Sequence, residues 1–139
     1  MRLISLLPLL GMAAACAPTA AQQEARAERA ATERTQLAKA LQGLTPDQPR
    51  NCMPQFPSRQ VRAYGPTIVY TVSRSLKYVS QTQGGCESLS TNGRNDILVT
   101  RTPIGQLCAG DIAQTVDRVS GFFTGSCSFG EFTPYRRAK

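Results

Sequence analysis

The chain has 139 residues, with sixteen Lys and Arg against nine Asp and Glu, five Cys, and neither His nor Trp. That length holds one domain of ordinary size. Without His there is no imidazole for acid–base catalysis, for Ser-His or Cys-His nucleophile pairs, or for imidazole-ligated metals.

Met1 and Arg2 give a short positive start, Leu3 to Leu10 is apolar apart from Ser5 and Pro8, and Gly11 to Ala15 is apolar and mostly small. This is the pattern of a secretory signal peptide over residues 1–15, too short for the ~20 apolar residues of a membrane-spanning helix. The run Ala13-Ala14-Ala15-Cys16 resembles the lipobox of bacterial lipoproteins, with Ala13 where that family usually has Leu. The resemblance implies that Cys16 becomes the first mature residue and carries the lipid. Ala17 after it would imply outer-membrane rather than inner-membrane sorting in a Gram-negative cell. Two or three acyl chains anchor a protein stably, since each buried methylene adds about 0.8 kcal/mol. Ordinary cleavage, for example after Ala21, is the alternative and would leave a secreted or periplasmic protein without Cys16.

Residues 16–49 are expected to be anchor, helical spacer and linker. Gln22 to Gln42 is rich in Ala, Glu and Arg and free of Gly and Pro until Gly43, which predicts a helix. Only Leu37, Leu41 and Leu44 make an apolar stripe, so docking is expected at the C-terminal end, with a spacer and a surface-lying helix as the two readings. Pro46 and Pro49 stiffen the connection between this helix and the rest of the chain.

From Arg50 to Tyr135 short strands and turns are expected: Gln60 to Tyr64, Thr67 to Val72 after the Gly65-Pro66 turn, and a partner strand around Leu76 to Val79. Gln81 to Asn95 reads as a long loop carrying Cys86. Asp96 to Arg101, Ile104 to Cys108 and Ile112 to Val119 are further strands, the last with a short helix as its alternative. Gly121 to Phe132 reads as turns and apolar anchors, and residues 136–139 as a basic tail. The fold class is therefore mainly β, a small disulfide-stabilised antiparallel sheet or barrel-like module preceded by an N-terminal helix.

Cys52, Cys86, Cys108 and Cys127 all fall in this module. An even count in a small exported domain points to bridges that supplement a limited core. Three pairings are open; a nested one, Cys52 with Cys127 and Cys86 with Cys108, is expected on the idea that one bridge ties the ends and the other fastens the long loop. A four-thiolate zinc site lacks the close Cys pairs it needs. No cofactor is implied.

Asn51-Cys52, Ile68-Val69-Tyr70, Cys86-Glu87-Ser88-Leu89, Leu107-Cys108-Ala109-Gly110-Asp111 and the ending Cys127-Ser128-Phe129-Gly130-Glu131-Phe132-Thr133-Pro134 resemble a family of small uncharacterised Gram-negative lipoproteins with a domain of unknown function. The resemblance spans residues 50–135. It implies an envelope location and a disulfide-linked β domain, and it carries no catalytic residue.

The module carboxylates are Glu87, Asp96, Asp111, Asp117 and Glu131, and their spacing singles out no catalytic pair. Asp111 fits a turn, accepting backbone N–H groups. Ser126 and Ser128 lack a general base, and no Cys-x-x-Cys supports redox work. The charge is more informative. Residues 22–49 hold four basic and four acidic side chains, whereas 50–139 hold eleven basic against five acidic. Arg59, Arg62, Arg74, Lys77, Arg94 and Arg101 are the candidates for a basic surface that meets anionic lipid, peptidoglycan or an acidic envelope protein; a solvated surface that keeps the module soluble is the alternative. Nucleic acid does not fit the compartment. The expected function is thus a non-catalytic envelope lipoprotein; the alternative is a secreted inhibitor or a small hydrolase using the module carboxylates.

Overall fold

The N-terminal helix, α1 (Ala20–Leu41), starts on Thr19 in a computed structural model that describes residues 18–54, 60–90, 96–102 and 105–138. The Thr19 hydroxyl accepts the Gln22 N–H (3.3 Å) and the Gln22 side-chain oxygen accepts the Thr19 N–H (3.0 Å), so two otherwise orphaned donors are satisfied reciprocally. Gly43 at φ +76° lets the chain leave the helix. Leu37, Leu41 and Leu44 are half-buried as their spacing implies, and so are Ala30, Glu33 and Ala40. The helix therefore lies against the module over its second half, the surface-lying reading rather than the free spacer.

Nine strands follow among the described residues: β1 (Thr45–Pro46), β2 (Cys52–Pro54), β3 (Gln60–Tyr64), β4 (Thr67–Thr71), β5 (Leu76–Gly84), β6 (Asp96–Thr100), β7 (Gln106–Cys108), β8 (Ile112–Asp117) and β9 (Phe123–Arg136). The main sheet is antiparallel in the order β3-β4-β5-β9-β8-β6, with β1 also paired to β9, while β2 and β7 form a separate ribbon. The mainly β, disulfide-linked module behind a helix is as the sequence pattern implies. Three details differ. β5 runs on to Gly84 through a stretch expected to be loop, because Thr82 turns inward between the outward Gln81 and Gln83. The supposed linker at Thr45–Pro46 belongs to the sheet. The segment expected to be turns and anchors is the start of the 14-residue β9, which also takes in Arg136, the first residue assigned to the tail.

The sheet curls into a half-barrel. Its inner face carries Ala63, Ile68, Tyr70, Tyr78, Ala113, Cys127, Phe129 and Phe132, joined by Met53 and Leu107 from the ribbon and Cys86 from the connection after β5. Phe129 and Phe132 stand 5.6 Å apart by ring centroids, each within 6.4 Å of Tyr70. The short 3-10 turn Glu87–Leu89 contacts both β3 and β6, and Ala63 bridges to Ser90, so this segment spans the two edges of the curl.

The disulfides correct the nested expectation: Cys52 joins Cys108 and Cys86 joins Cys127. Strand register decides this. Cys52 lies directly opposite Cys108 in the β2–β7 ribbon, and Cys127 lies opposite Gly84, two residues before Cys86. β9 carries Cys127 along β5 and β8, away from Cys52, so a bridge between chain ends is not available. The four cysteines are held in bridges, which disposes of the zinc alternative.

The close approach that accommodates Cys86–Cys127 depends on small residues. A Cβ on Gly125 would lie 1.9 Å from the Gly85 carbonyl oxygen. No larger residue fits there without moving one of the two backbones. Gly84-Gly85, within the stretch expected to be a loop, thus marks a crossing of two chain segments.

Candidate functional site

Each strand has an inner side and an outer side, and the register assigns every basic candidate on a strand to one of them. Arg62 opposes Val69, a position of the outer face, and is exposed. With the Gln60 amide oxygen turned toward it, Arg62 donates from Nε (2.9 Å) and Nη2 (3.1 Å). Gln60 in turn opposes Thr71, and Thr71 opposes Lys77, so the row leads from Arg62 toward Lys77 across the same face.

Arg74 sits in the turn between β4 and β5, and Lys77 begins the outer row of β5. Together with Arg137, Thr71 and Ser73 they line an open recess of about 360 Å³. Arg137 arrives there because β9 runs along β5 from Cys127 to Arg136 and the Arg137 N–H bonds the Ser75 carbonyl (3.2 Å). The sequence pattern placed it in a tail. The signal for it was the alternation of Phe132, Pro134 and Arg136, which continues the strand almost to the end of the chain. The Lys77 ammonium also donates to the Ala40 carbonyl, one of the unsatisfied groups at the end of α1. Lys77 thus ties the helix to the recess it lines. Among the described residues the lining contains no carboxylate; Arg136 next door faces Asp47 at 3.8 Å.

Arg101 lies elsewhere, beyond β6 at the other side of the sheet, in a second recess of about 360 Å³ with Val99, Ile112 and Gln114. Cys16, Arg59 and Arg94 lie outside the described residues, as does the Glu87 side chain. The candidates therefore do not share one surface: Arg62, Arg74 and Lys77 gather at one region with Arg137, and Arg101 stands apart.

Three of the carboxylates, Asp96, Asp111 and Asp117, are engaged by the chain itself. Asp111 accepts the Cys108 N–H at 2.7 Å, the turn role its position implies. Asp117 Oδ1 accepts from the N–H groups of Val119 and Ser120 and from the Ser120 hydroxyl. Asp96 Oδ2 accepts from the Thr124 hydroxyl at 2.6 Å. Thr124 has one hydroxyl proton, so in the 2.9 Å contact with Thr115 the Thr115 hydroxyl donates, and Ser88 donates to Thr115 at 3.2 Å. This chain of hydroxyls fastens the 3-10 turn, β8, β9 and β6 at one end of the half-barrel. Asp96 and Asp117 are also direct cross-strand partners, a carboxylate pair that sequence spacing could not single out because β8 and β6 meet only through the fold.

Two buried polar atoms have no partner among the described residues, Asp96 Oδ1 and the Tyr70 hydroxyl. Burial raises the Tyr70 phenol above its ordinary value. Among the described residues no group of three or more His, Cys, Asp or Glu could hold a metal ion, and no helix is long and apolar enough to cross a membrane.

No family model, no curated protein and no solved structure matches this chain.

Proposed function

We propose that this chain is a non-catalytic, lipid-anchored protein of the cell envelope, held at the outer membrane through Cys16, and that its β module binds anionic envelope material at the recess of Arg74, Lys77 and Arg137. One observation carries the binding reading: three cations from a turn, a strand and the chain's end converge on one recess beside Ser73 and Thr71. Cations so placed repel each other, and an anion with several oxygens relieves that repulsion while the hydroxyls of Ser73 and Thr71 supply neutral hydrogen bonds. Phosphorylated lipid, peptidoglycan stems and acidic envelope proteins all offer such groups.

Capture on immobilised lipopolysaccharide and on peptidoglycan tests this. Binding at low salt should weaken as salt rises, because exposed charges are screened within about 10 Å at 0.1 M. It should fall several-fold in an Arg74→Gln, Arg137→Gln variant, which keeps Lys77 on the helix. Absence of binding at low salt, or binding indifferent to that variant, would remove the reading. Mass spectrometry of the mature protein tests the anchor: an acylated N-terminal Cys16 is expected, and a chain beginning at Gln22 would exclude it.

A second reading, a small hydrolase, has the facing pair Asp96 and Asp117 in its favour. Their existing hydrogen bonds suit a structural pair better. Hydrolysis of an envelope glycan that is lost in Asp96→Asn with the fold intact would reverse that preference.

A further inference from the structure

The outer face of the main sheet is only half covered. On β4 and β5 the outward residues Val69 and Val79 are 2% and 9% exposed although they lie opposite the core face. The helix covers them: Glu33 sits over Gly65, the Ala40 carbonyl is held by Lys77, and α1 contacts β3. On β6, β8 and the start of β9 nothing among the described residues takes the helix's place. Ile97 opposes Val116 and Val116 opposes Phe123, so these three share the outer face, with Val99 and Ile112 beside them. Ile112 and Phe123 are 63% and 62% exposed.

The apolar run continues into the β8–β9 turn, where Val119 and Phe122 are 87% and 74% exposed. Slackness does not account for that exposure. Asp117 holds the turn through the three hydrogen bonds to its Oδ1, its N–H bonds the Phe122 carbonyl (2.9 Å), and Gly121 supplies the φ of +72° the turn needs. The tip is built to present Val119, Phe122 and Phe123 outward. Isolated exposed apolar residues are ordinary, but a contiguous patch with two Phe at its apex marks a contact surface.

We propose that this tip and the bare outer face beside it dock on a lipid bilayer surface with anionic headgroups. Three features select a membrane as the occupant. The most exposed apolar side chains are at the apex of a hairpin, a protruding shape that can enter the interface between headgroups and acyl chains, where aromatic rings sit well. The described basic residues beside this surface are the exposed Arg118 in the turn and, at the far end of the hairpin beside Ile112, Arg101, while Asp117 Oδ1 and Asp96 Oδ2 accept from the chain's own donors. Finally, Arg101 and Gln114 share their recess with the apolar Val99 and Ile112, which pairs a cation with hydrocarbon as a headgroup and its first methylenes do. This surface is separate from the recess of Arg74, Lys77 and Arg137.

The chain contains no Trp, so Phe122→Trp introduces a single reporter at the apex. A chain starting at Pro18 holds every described element and lacks both the apolar leader and Cys16, so neither can carry it to a vesicle. With vesicles of phosphatidylglycerol and phosphatidylcholine, the emission of the introduced indole should shift to the blue and be quenched by brominated acyl chains. Vesicle partition should fall at least tenfold in Phe122→Ser, Phe123→Ser, whose side chains are exposed and whose folding is checked by circular dichroism. Arg101→Gln and Arg118→Gln should each lower it about fivefold at low salt, in line with a cation's contribution beside an anionic leaflet. Unchanged indole emission at saturating lipid overturns the proposal. So does partition that needs Arg74 and Arg137 but ignores the two Phe. A dimer in sedimentation that dissolves in the double Phe variant, with no vesicle binding, would give the face to a second copy of the chain and equally overturn it.

Discussion

The two halves of the outer face are built from one sheet with one alternation of side chains, yet they end differently. On β4–β5, Val69 is 2% exposed; on β6, Val99 is 38% exposed. Both are valines on the same side of one sheet. The difference lies in what is laid over them: α1 reaches the first half through its stripe of Ala30, Glu33, Leu37 and Ala40 and stops there. Burial on this face is thus decided by a separate element, and the strands' own hydrophobicity does not reveal which half has a partner within the chain.

The largest effect should come from the frame both halves depend on. Replacing Cys86 and Cys127 by Ala opens a 41-residue separation and should cost about 4 kcal/mol in the chain-entropy limit, read by denaturant unfolding. A loss below about 1 kcal/mol would mean that the hydroxyl chain and the 3-10 turn hold the sheet edges unaided. Matched substitutions then address the comparison itself. Val69→Thr puts a hydroxyl beneath the helix and should cost about 1–3 kcal/mol. The same change at Val99 should stay within about 0.5 kcal/mol, as surface substitutions usually do. Equal costs would show that Val99 is covered in solution.

A smaller effect is expected inside the half-barrel. The unfolded Tyr70 phenol ionises near pH 10, whereas burial holds the folded one neutral to higher pH. The folded state therefore keeps a proton the unfolded state has lost, so stability falls as pH rises above about 10 and is insensitive to this group below it. Tyr70→Phe should flatten that fall. At neutral pH it should be neutral or slightly stabilising, because it removes a buried hydroxyl without a partner. The least effect belongs to Asp47→Asn, which breaks a half-exposed ion pair with Arg136 and should change stability by less than about 0.5 kcal/mol.

Much of the fold is legible in residues of strong local meaning. Gly65-Pro66 marks the β3–β4 turn, Ile68 and Tyr70 mark the inward side of β4, and the Ala-rich run with Gly43 marks α1 and its end. The features that were not legible depend on long-range register. Cys127 meets Cys86 because β9 runs beside β5, which no spacing between cysteines expresses. The same strand carries Arg137 from a supposed tail into the recess of Arg74 and Lys77. The four Phe near the C-terminus look alike in sequence, yet Phe129 and Phe132 are in the core and Phe122 and Phe123 are outside it. A bulge between Thr115 and Val116 and the turn held by Asp117 separate the two pairs. Only the facing strand reveals which aromatic residues point inward.

Hydrogen exchange on the chain from Pro18, with and without anionic vesicles, tests directly the contrast between a face covered from within and a face covered from outside. Peptides over 96–102 and 112–123 should gain protection when vesicles are added, while those over 67–71 and 76–80, already beneath α1, should not change. Protection confined to the region of Arg74 and Arg137, or no change anywhere at saturating lipid, would contradict the account.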